Sequence, residues 1–259
     1  MKAAFLLLLI AVQANAADPP DLCTDRPGLA TGTCTAVAGT IQVESSLVEW
    51  SRTDAGGVRT GDLLLGPSTL RFGLDGRSEI QLGIVPFHQT RSVGGGSTET
   101  HGGFGDITIA FKHRFSDAAA TSSIAVMPFV KLPTARQPIG NGQWEGGLLV
   151  PMQTPLAGPL SVTLTPEADW KANGDGIGHH ARLSSAVSLG LSLGPRWSTA
   201  FDAQAGRERD GGITVWDATV GPSVTFLATP TFQLDSEVDF GLTQGTPATT
   251  LKTGFSARF

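Results

Sequence analysis

From residue 160 onward, apolar and polar side chains alternate one by one. Leu160, Val162, Leu164, Pro166, Ala168 and Trp170 share one parity, and Ser161, Thr163, Thr165, Glu167, Asp169 and Lys171 share the other. Successive side chains of a strand point to opposite faces, so this stretch has one face suited to hydrocarbon and one suited to water. The split recurs in Phe232, Leu234, Val238, Phe240 and Leu242 against Gln233, Asp235, Glu237, Asp239 and Thr243. It recurs again in Ile107, Ile109, Phe111 and Phe115 against Asp106, Thr108, Lys112 and Arg114. About twelve such segments run from Ile41 to Phe259, each bounded by Gly, Pro, Asp or Ser, with no long helical periodicity. The chain is therefore expected to be all-β.

Alternation alone leaves two inversions open: a soluble barrel with its apolar face inside, or a membrane barrel with its apolar face outside. Three features choose the membrane. The chain opens MKAAFLLLLIAVQANA, with basic Lys2, an apolar run from Ala3 to Val12, and the small-x-small ending Ala14, Asn15, Ala16. That pattern predicts a signal peptide cut after Ala16, because the apolar run is too short for a spanning helix. No later stretch is apolar enough for a membrane helix, so entry into a membrane requires a closed barrel.

The second feature is loop sorting. Tight joins at Asp75-Gly76, 117–120, 155–157, Gly194 and Thr229 alternate with looser ones at 53–60, 90–103, 133–142, 172–178, 208–212 and 244–249. With both termini periplasmic, every tight join falls on the periplasmic side, as in outer-membrane barrels. The third is the last strand, Leu251, Thr253, Phe255, Ala257 and Phe259, which alternates and ends on an aromatic. Phe255 and Phe259 resemble the signal read by the barrel-assembly machinery, which is then a partner along with outer-membrane lipid. Trp50, Trp144, Trp170 and Trp216 fall near expected strand ends, where interfacial girdles belong. Tyr is absent from the chain, and we have no physical account of that.

The expected organisation is a signal peptide over 1–16, a periplasmic segment over 17–40, and a transmembrane antiparallel up-and-down barrel of about twelve strands over 41–259. Cys23 and Cys34 are the only cysteines. Both precede the first strand in a compartment that permits oxidation, so they are expected to form a local disulfide closing a small plug or loop. Two cysteines without a nearby histidine make a poor zinc site. The net charge of −5 gives no basic footprint for nucleic acid.

Several ordered stretches resemble the outer-membrane transporter-like barrels of the meta-pathway phenol-degradation family. They are Leu22-Cys23-Thr24-Asp25-Arg26-Pro27-Gly28, Cys34-Thr35, Ala38-Gly39 and Gln42-Val43-Glu44. After these come Thr69-Leu70-Arg71-Phe72-Gly73-Leu74 with Ser78-Glu79-Ile80-Gln81-Leu82, Gly103-Phe104-Gly105-Asp106 with Lys112, and Lys131-Leu132-Pro133-Thr134. The resemblance implies a membrane barrel passing small solutes, often hydrophobic or aromatic. It implies no enzymatic step and no cofactor.

Hairpin register converts the polar face into expected charge pairs. Around the turn near Gly174 to Gly176, Asp169 falls opposite Arg182 and Lys171 opposite His180. In the last hairpin Asp239 is expected beside Lys252 and Asp235 near Arg258, and Arg71 near Glu79 across Asp75-Gly76. With Glu44, Asp106, Lys112, Arg114, Lys131, Glu167, Asp202 and Glu237, these line the expected lumen. They could set selectivity, or they could fill a closed and non-transporting structural or adhesive barrel.

His179 and His180 beside Asp175 make a poor metal site at the outer mouth, because neighbours on a strand face opposite ways and do not easily chelate one ion. Gly94-Gly95-Gly96 with Gly102-Gly103 reads as a mobile outer loop able to fold into the pore. Outward-facing His113 and His179 have no serine two residues away, and Ser116 lies on the other face from His113, so no catalytic residues are assigned.

Overall fold

The structure, a computed structural model, describes residues 22–117, 120–244 and 246–259. The expected signal peptide and the mature start near Ala17 lie outside these residues. Sixteen ladder segments follow in chain order: β1 Ile41–Ala55, β2 Val58–Leu65, β3 Ser68–Gly73, β4 Ser78–Ile84, β5 Phe87–Gly94, β6 Ser97–Gly103, β7 Ile107–Arg114, β8 Ser123–Leu132, β9 Glu145–Leu149, β10 Met152–Pro155, β11 Leu160–Ala172, β12 His179–Ser192, β13 Trp197–Asp210, β14 Ile213–Thr229, β15 Phe232–Gly241 and β16 Thr249–Arg258. They compose a closed 12-strand antiparallel barrel. Closure is made by β16 against β1, from Gln42↔Arg258 to Arg52↔Thr249.

Four of the twelve strands are each broken into two segments, at Gly66-Pro67, Val85-Pro86, Phe104 to Asp106, and Val150-Pro151. Proline has no N–H to give the ladder, and it stands at three of these four breaks. The first three breaks lie on consecutive strands, and β1 has its own register shift between Ser46 and Val48 beside them. Pro67 accepts from the Ser46 N–H and Val85 from the Gly105 N–H, so the irregularities join into one band across the wall. Bulges of this kind re-aim the strand beyond them.

The barrel is apolar outside and polar inside. Leu183, Phe201, Trp216 and Leu251 are exposed, whereas Arg71, Lys112, Glu79 and Asp202 are fully buried. With the alternation seen in the sequence, this sends the charged parity inward, as a lipid-facing barrel requires. At the end carrying the tight turns, Phe259 and Ile41 exchange backbone hydrogen bonds.

The opposite end differs from the expected loop pattern. The joins at 53–60, 90–103 and 208–212 are two-residue turns, Gly56-Gly57, Gly95-Gly96 and Gly211-Gly212, on strands that run further than expected. All six glycines have positive φ, the backbone these tight hairpin turns demand. The stretch read as a mobile glycine-rich loop is thus the β5–β6 hairpin, registered from His88↔Gly103 to Gly94↔Ser97. Its strands project past the apolar belt, so nothing there forces an apolar parity that would have revealed them.

Candidate functional site

Residues 22–40 have no strand of their own and lie against the inward side chains at the tight-turn end. A disulfide joins Cys23 to Cys34. Two sets of contacts hold this plug. On the side of β1, β3, β4 and β7, Arg71 is enclosed by carboxylates: Glu44 in direct contact, Glu79 at 2.9 Å and Asp25 at 3.5 Å. The same guanidinium donates to the backbone carbonyls of Cys23 and Cys34, each at 3.1 Å, and so grips both halves of the disulfide loop. Lys112 Nζ lies 2.6 Å from Asp25 and donates to the Gly32 carbonyl at 3.2 Å. The wall carboxylates also accept plug amides, Asp25 N–H on Glu44 at 3.2 Å and Ala36 N–H on Glu79 at 2.5 Å.

On the side of β11, β13 and β15 the wall supplies carboxylates but, among the described residues, no cation to the plug, and most of the donors come from the plug. Arg26 reaches Asp235 at 2.7 Å. Gly28 N–H donates to Glu237 at 3.1 Å and Leu29 N–H to Asp202 at 3.2 Å. Thr31 exchanges two hydrogen bonds with the Thr165 hydroxyl, at 3.1 and 3.0 Å. Charge-assisted bonds like these are the stronger kind, and burial raises the cost of leaving either member unpaired.

Toward the other end, Arg182 bridges Asp169 at 3.1 Å and Asp217 at 2.8 Å. Lys171 meets Glu208 at 2.8 Å, and Lys131 meets Asp106 at 3.1 Å and Glu145 at 2.9 Å. Back at the tight-turn end, Arg114 donates to the Gly76 carbonyl at 3.2 Å. Glu167 lies within 3.5 Å of the Ser184 hydroxyl beside Arg182.

The β11–β12 register places Asp169 opposite Arg182 and Lys171 opposite His180, as the hairpin arithmetic expects. Arg71 and Glu79 meet, although on a diagonal, since Arg71 stands opposite Gln81. The last hairpin departs from its expected register. Asp235 is opposite Gly254, and its cation is Arg26 of the plug in place of Arg258. Gly254 explains the exchange, because a Cβ there would stand 2.6 Å from the Arg26 guanidinium. Lys252 stands opposite Glu237 and reaches both it, at 3.4 Å, and Asp239, at 3.0 Å. Arg258 is buried in the same wall.

Two features were missed in the sequence. Cross-strand register sets Ser78 opposite His113, with the hydroxyl 2.9 Å from Nδ1. Asp75, the third polar group there, accepts from the Ser78 hydroxyl and from the Arg77 and Ser78 amides, so the group closes a turn. The second is an apolar patch inside the lumen. Met127 and Phe129 of β8, with Val85, line a cavity of about 350 Å³ whose other walls include Arg26, Glu49 and Asp106. The signal was present in the sequence, because β8 reads Ile124-Ala125-Val126-Met127-Pro128-Phe129-Val130 and is apolar on both parities. A second cavity, of about 370 Å³, lies across the plug and is lined by Cys34, Gln153, Ser161, Ser188, Thr225 and Gln233.

A family model described as "Putative MetA-pathway of phenol degradation" matches residues 24–259. No curated protein matches the sequence. Among solved structures, an outer membrane channel from Pseudomonas putida F1 aligns with a TM-score of 0.69 at 18% identity, covering 94% of this chain and all of that one. The translocator domain of the autotransporter NalP from Neisseria meningitidis gives 0.56 at 11% identity, covering 86% and 90%. The NanC porin gives 0.53 at 10% identity, covering 84% and 98%. At such identities the likeness carries the fold alone, that of an outer membrane β-barrel.

Proposed function

This chain belongs to the family described by that phenol-degradation model, and from that premise we propose that it is a passive outer-membrane channel for small apolar or monoaromatic solutes. The observation that carries the proposal is the inward pair Met127 and Phe129. In a lumen otherwise lined by ion pairs, an apolar patch against water has no structural benefit unless something apolar covers it. The adjoining cavity of about 350 Å³ falls at the small end of ligand pockets, which span roughly 300–1,000 Å³. It combines an apolar wall with a few polar groups, the arrangement that accepts a ring bearing a hydroxyl or carboxyl. Arg26, Glu44, Glu49 and Asp106 line it, and with the other lumen charges, Arg71, Glu79, Lys112, Lys131 and the Asp169–Arg182–Asp217 bridge, they would set which ions accompany or compete with the solute.

Influx into proteoliposomes tests this reading. Phenol-sized aromatics should enter faster than sugars of similar size, and Phe129→Gln should slow the aromatics while leaving the sugars unchanged. Equal effects on both solutes would remove the apolar patch from the pathway. A second reading, a sealed structural or adhesive barrel, draws on the density of plug contacts. It predicts neither influx nor conductance steps in planar bilayers.

Assembly through the C-terminal strand belongs to the same proposal. Deleting Phe259 should lower the amount of heat-resistant barrel recovered with the outer membrane. Recovery equal to that of the intact chain would refute a signal there.

A further inference from the structure

The outward face of a lipid-facing wall should hold few charges, yet three arginines stand together on it. On β1, Trp50, Arg52 and Asp54 share the outward parity, as do Arg59, Gly61 and Leu63 on β2, and Gln89, Arg91 and Val93 on β5. Register aligns them in rows: Arg52↔Gly61↔Arg91 in one, and Trp50↔Leu63↔Gln89 in the row beneath. Below that comes Val48↔Leu65↔Phe87, an apolar row at the level of the lipid chains. Two inter-strand spacings put the Arg52 and Arg91 backbones roughly 10 Å apart, and Gly61 leaves the space between them open. The result is a depression of about 490 Å³ walled by Arg52, Arg59 and Arg91 and based on Trp50 and Leu63.

The charges in this depression do not balance. Asp54 binds Arg52 at 2.8 Å and Arg59 at 3.1 Å, with all three side chains more than 40% exposed. Arg91 has no ion-pair partner among the described residues. The cluster therefore has a surplus of two positive charges, on a protein whose net charge is −5. A second outward pair, Arg207 and Arg209 on β13, stands at the same end of the barrel. Arg207 is held 5.4 Å from the ring centroid of Trp216, with Leu183 and Phe201 exposed below it.

We propose that the depression around Gly61 binds the phosphate headgroup of a phosphorylated glycolipid in the surrounding leaflet. Guanidinium forks suit phosphate oxygens, and adjacent guanidiniums can share one phosphate. The apolar rows begin one residue pair below, roughly 7 Å down the strand. That drop matches an amphiphile whose anionic head rests among Arg52, Arg59 and Arg91 while its acyl chains lie over Trp50, Leu63 and Leu65. A free anion would use only the upper half of this surface.

The test is binding of bis-phosphorylated and dephosphorylated lipid A to the detergent-solubilised full-length barrel, read by native mass spectrometry. The phosphorylated form should remain bound at least about tenfold more tightly, and Arg52→Gln with Arg91→Gln should erase that difference. Gly61→Leu keeps every charge and fills the depression, and its Cβ meets nothing nearer than the Ser51 carbonyl at 3.7 Å. It should lose the lipid to a similar extent, so the outcome does not depend on how the charge variants fold. Equal binding of both lipid forms, or unchanged retention by Gly61→Leu, overturns the site. Displacement by inorganic phosphate at the lipid's own concentration would show an anion site without the lipid floor, and would also overturn it.

Discussion

Replacing Arg71 with methionine should unseat the plug without unfolding the barrel. The side chain is fully buried, and methionine fills a similar volume. What the substitution removes is the one group that touches Glu44, Glu79 and the carbonyls of Cys23 and Cys34 together. Taking one member from a buried ion pair costs about 3–5 kcal/mol, because the partner is left charged and undersolvated. At about 1.36 kcal/mol per factor of ten, the seating equilibrium shifts by roughly 10² to 10⁴. Amide exchange over residues 22–40 reads this equilibrium directly, since Asp25, Gly28, Leu29 and Ala36 all donate to wall side chains that the seated plug brings within reach. Exchange there should accelerate by about 10² or more, while peptides from β11 to β14 keep their protection. Arg71→Lys should fall between, because an ammonium keeps the charge but cannot fork across both sides. If Arg71→Met leaves exchange over 22–40 within a few-fold of wild type in an intact barrel, the buried cluster does not seat the plug and the reasoning fails.

Acid should release the same segment. Burial alone would raise the Asp25 carboxyl, but the charges of Arg71 and Lys112, with hydrogen bonds from Lys112 and Gly32, outweigh it and hold the group below its ordinary 3.8. A lowered pKa in the seated state makes the contribution of Asp25 complete above pH 3.8 and loses it as pH falls through the lowered value. Exchange over 22–40 should therefore be insensitive to Asp25→Asn substitution only at the acid end of a pH series; a constant difference across the series would refute the assignment. Gly73→Ala should lower the unfolding temperature on heated gels, because the new Cβ would lie 2.1 Å from the Val37 carbonyl oxygen and 2.6 Å from that of Ala36. Overpacking of this kind costs about 1–3 kcal/mol, and an unchanged transition would show that the plug yields freely there. Arg182→Ala leaves Asp169 and Asp217 without their shared cation and should raise cation preference in planar bilayers, while Asp169→Ala should shift it toward anions. Two well-assembled variants with wild-type selectivity would exclude this bridge from the conduction path.

The sequence shows the wall more fully than what the wall encloses. Alternation with period two is a local property, so β11, β15 and the polarity of their faces can be read without knowing any neighbour. Register can be read where the ladder runs up to the turn on both sides, as it does to Ala172↔His179, which is why Asp169 and Arg182 are found opposite one another. It slips in the last hairpin, where the longer connection between β15 and β16 gives no such arithmetic and Asp235 comes to face Gly254. The plug lies beyond this kind of reading. Arg26 and Asp235 are 209 residues apart, and a segment without periodicity carries no mark of which strands it will touch. The apolar lumen patch is a different case: β8 departs from alternation in plain view, and the departure has meaning only once the opposite parity is known to face a lumen.

The two sets of plug contacts also divide the chain in time. Glu44, Arg71, Glu79 and Lys112 belong to the first half of the sequence, whereas Asp202, Asp235, Glu237 and Ser256 belong to its last quarter. The bonds from Arg26 to Asp235 and from Thr24 to Ser256 need β15 and β16 in position, and β16, paired with β15 on one side, closes the ring by pairing with β1 on the other. A cross-linked loop ahead of the first strand can therefore be half docked while the sheet is still open, but its remaining partners arrive with the residues that close the ring. Sealing the wall and trapping its contents become one event, and after it the loop is held inside a hoop of continuous hydrogen bonds.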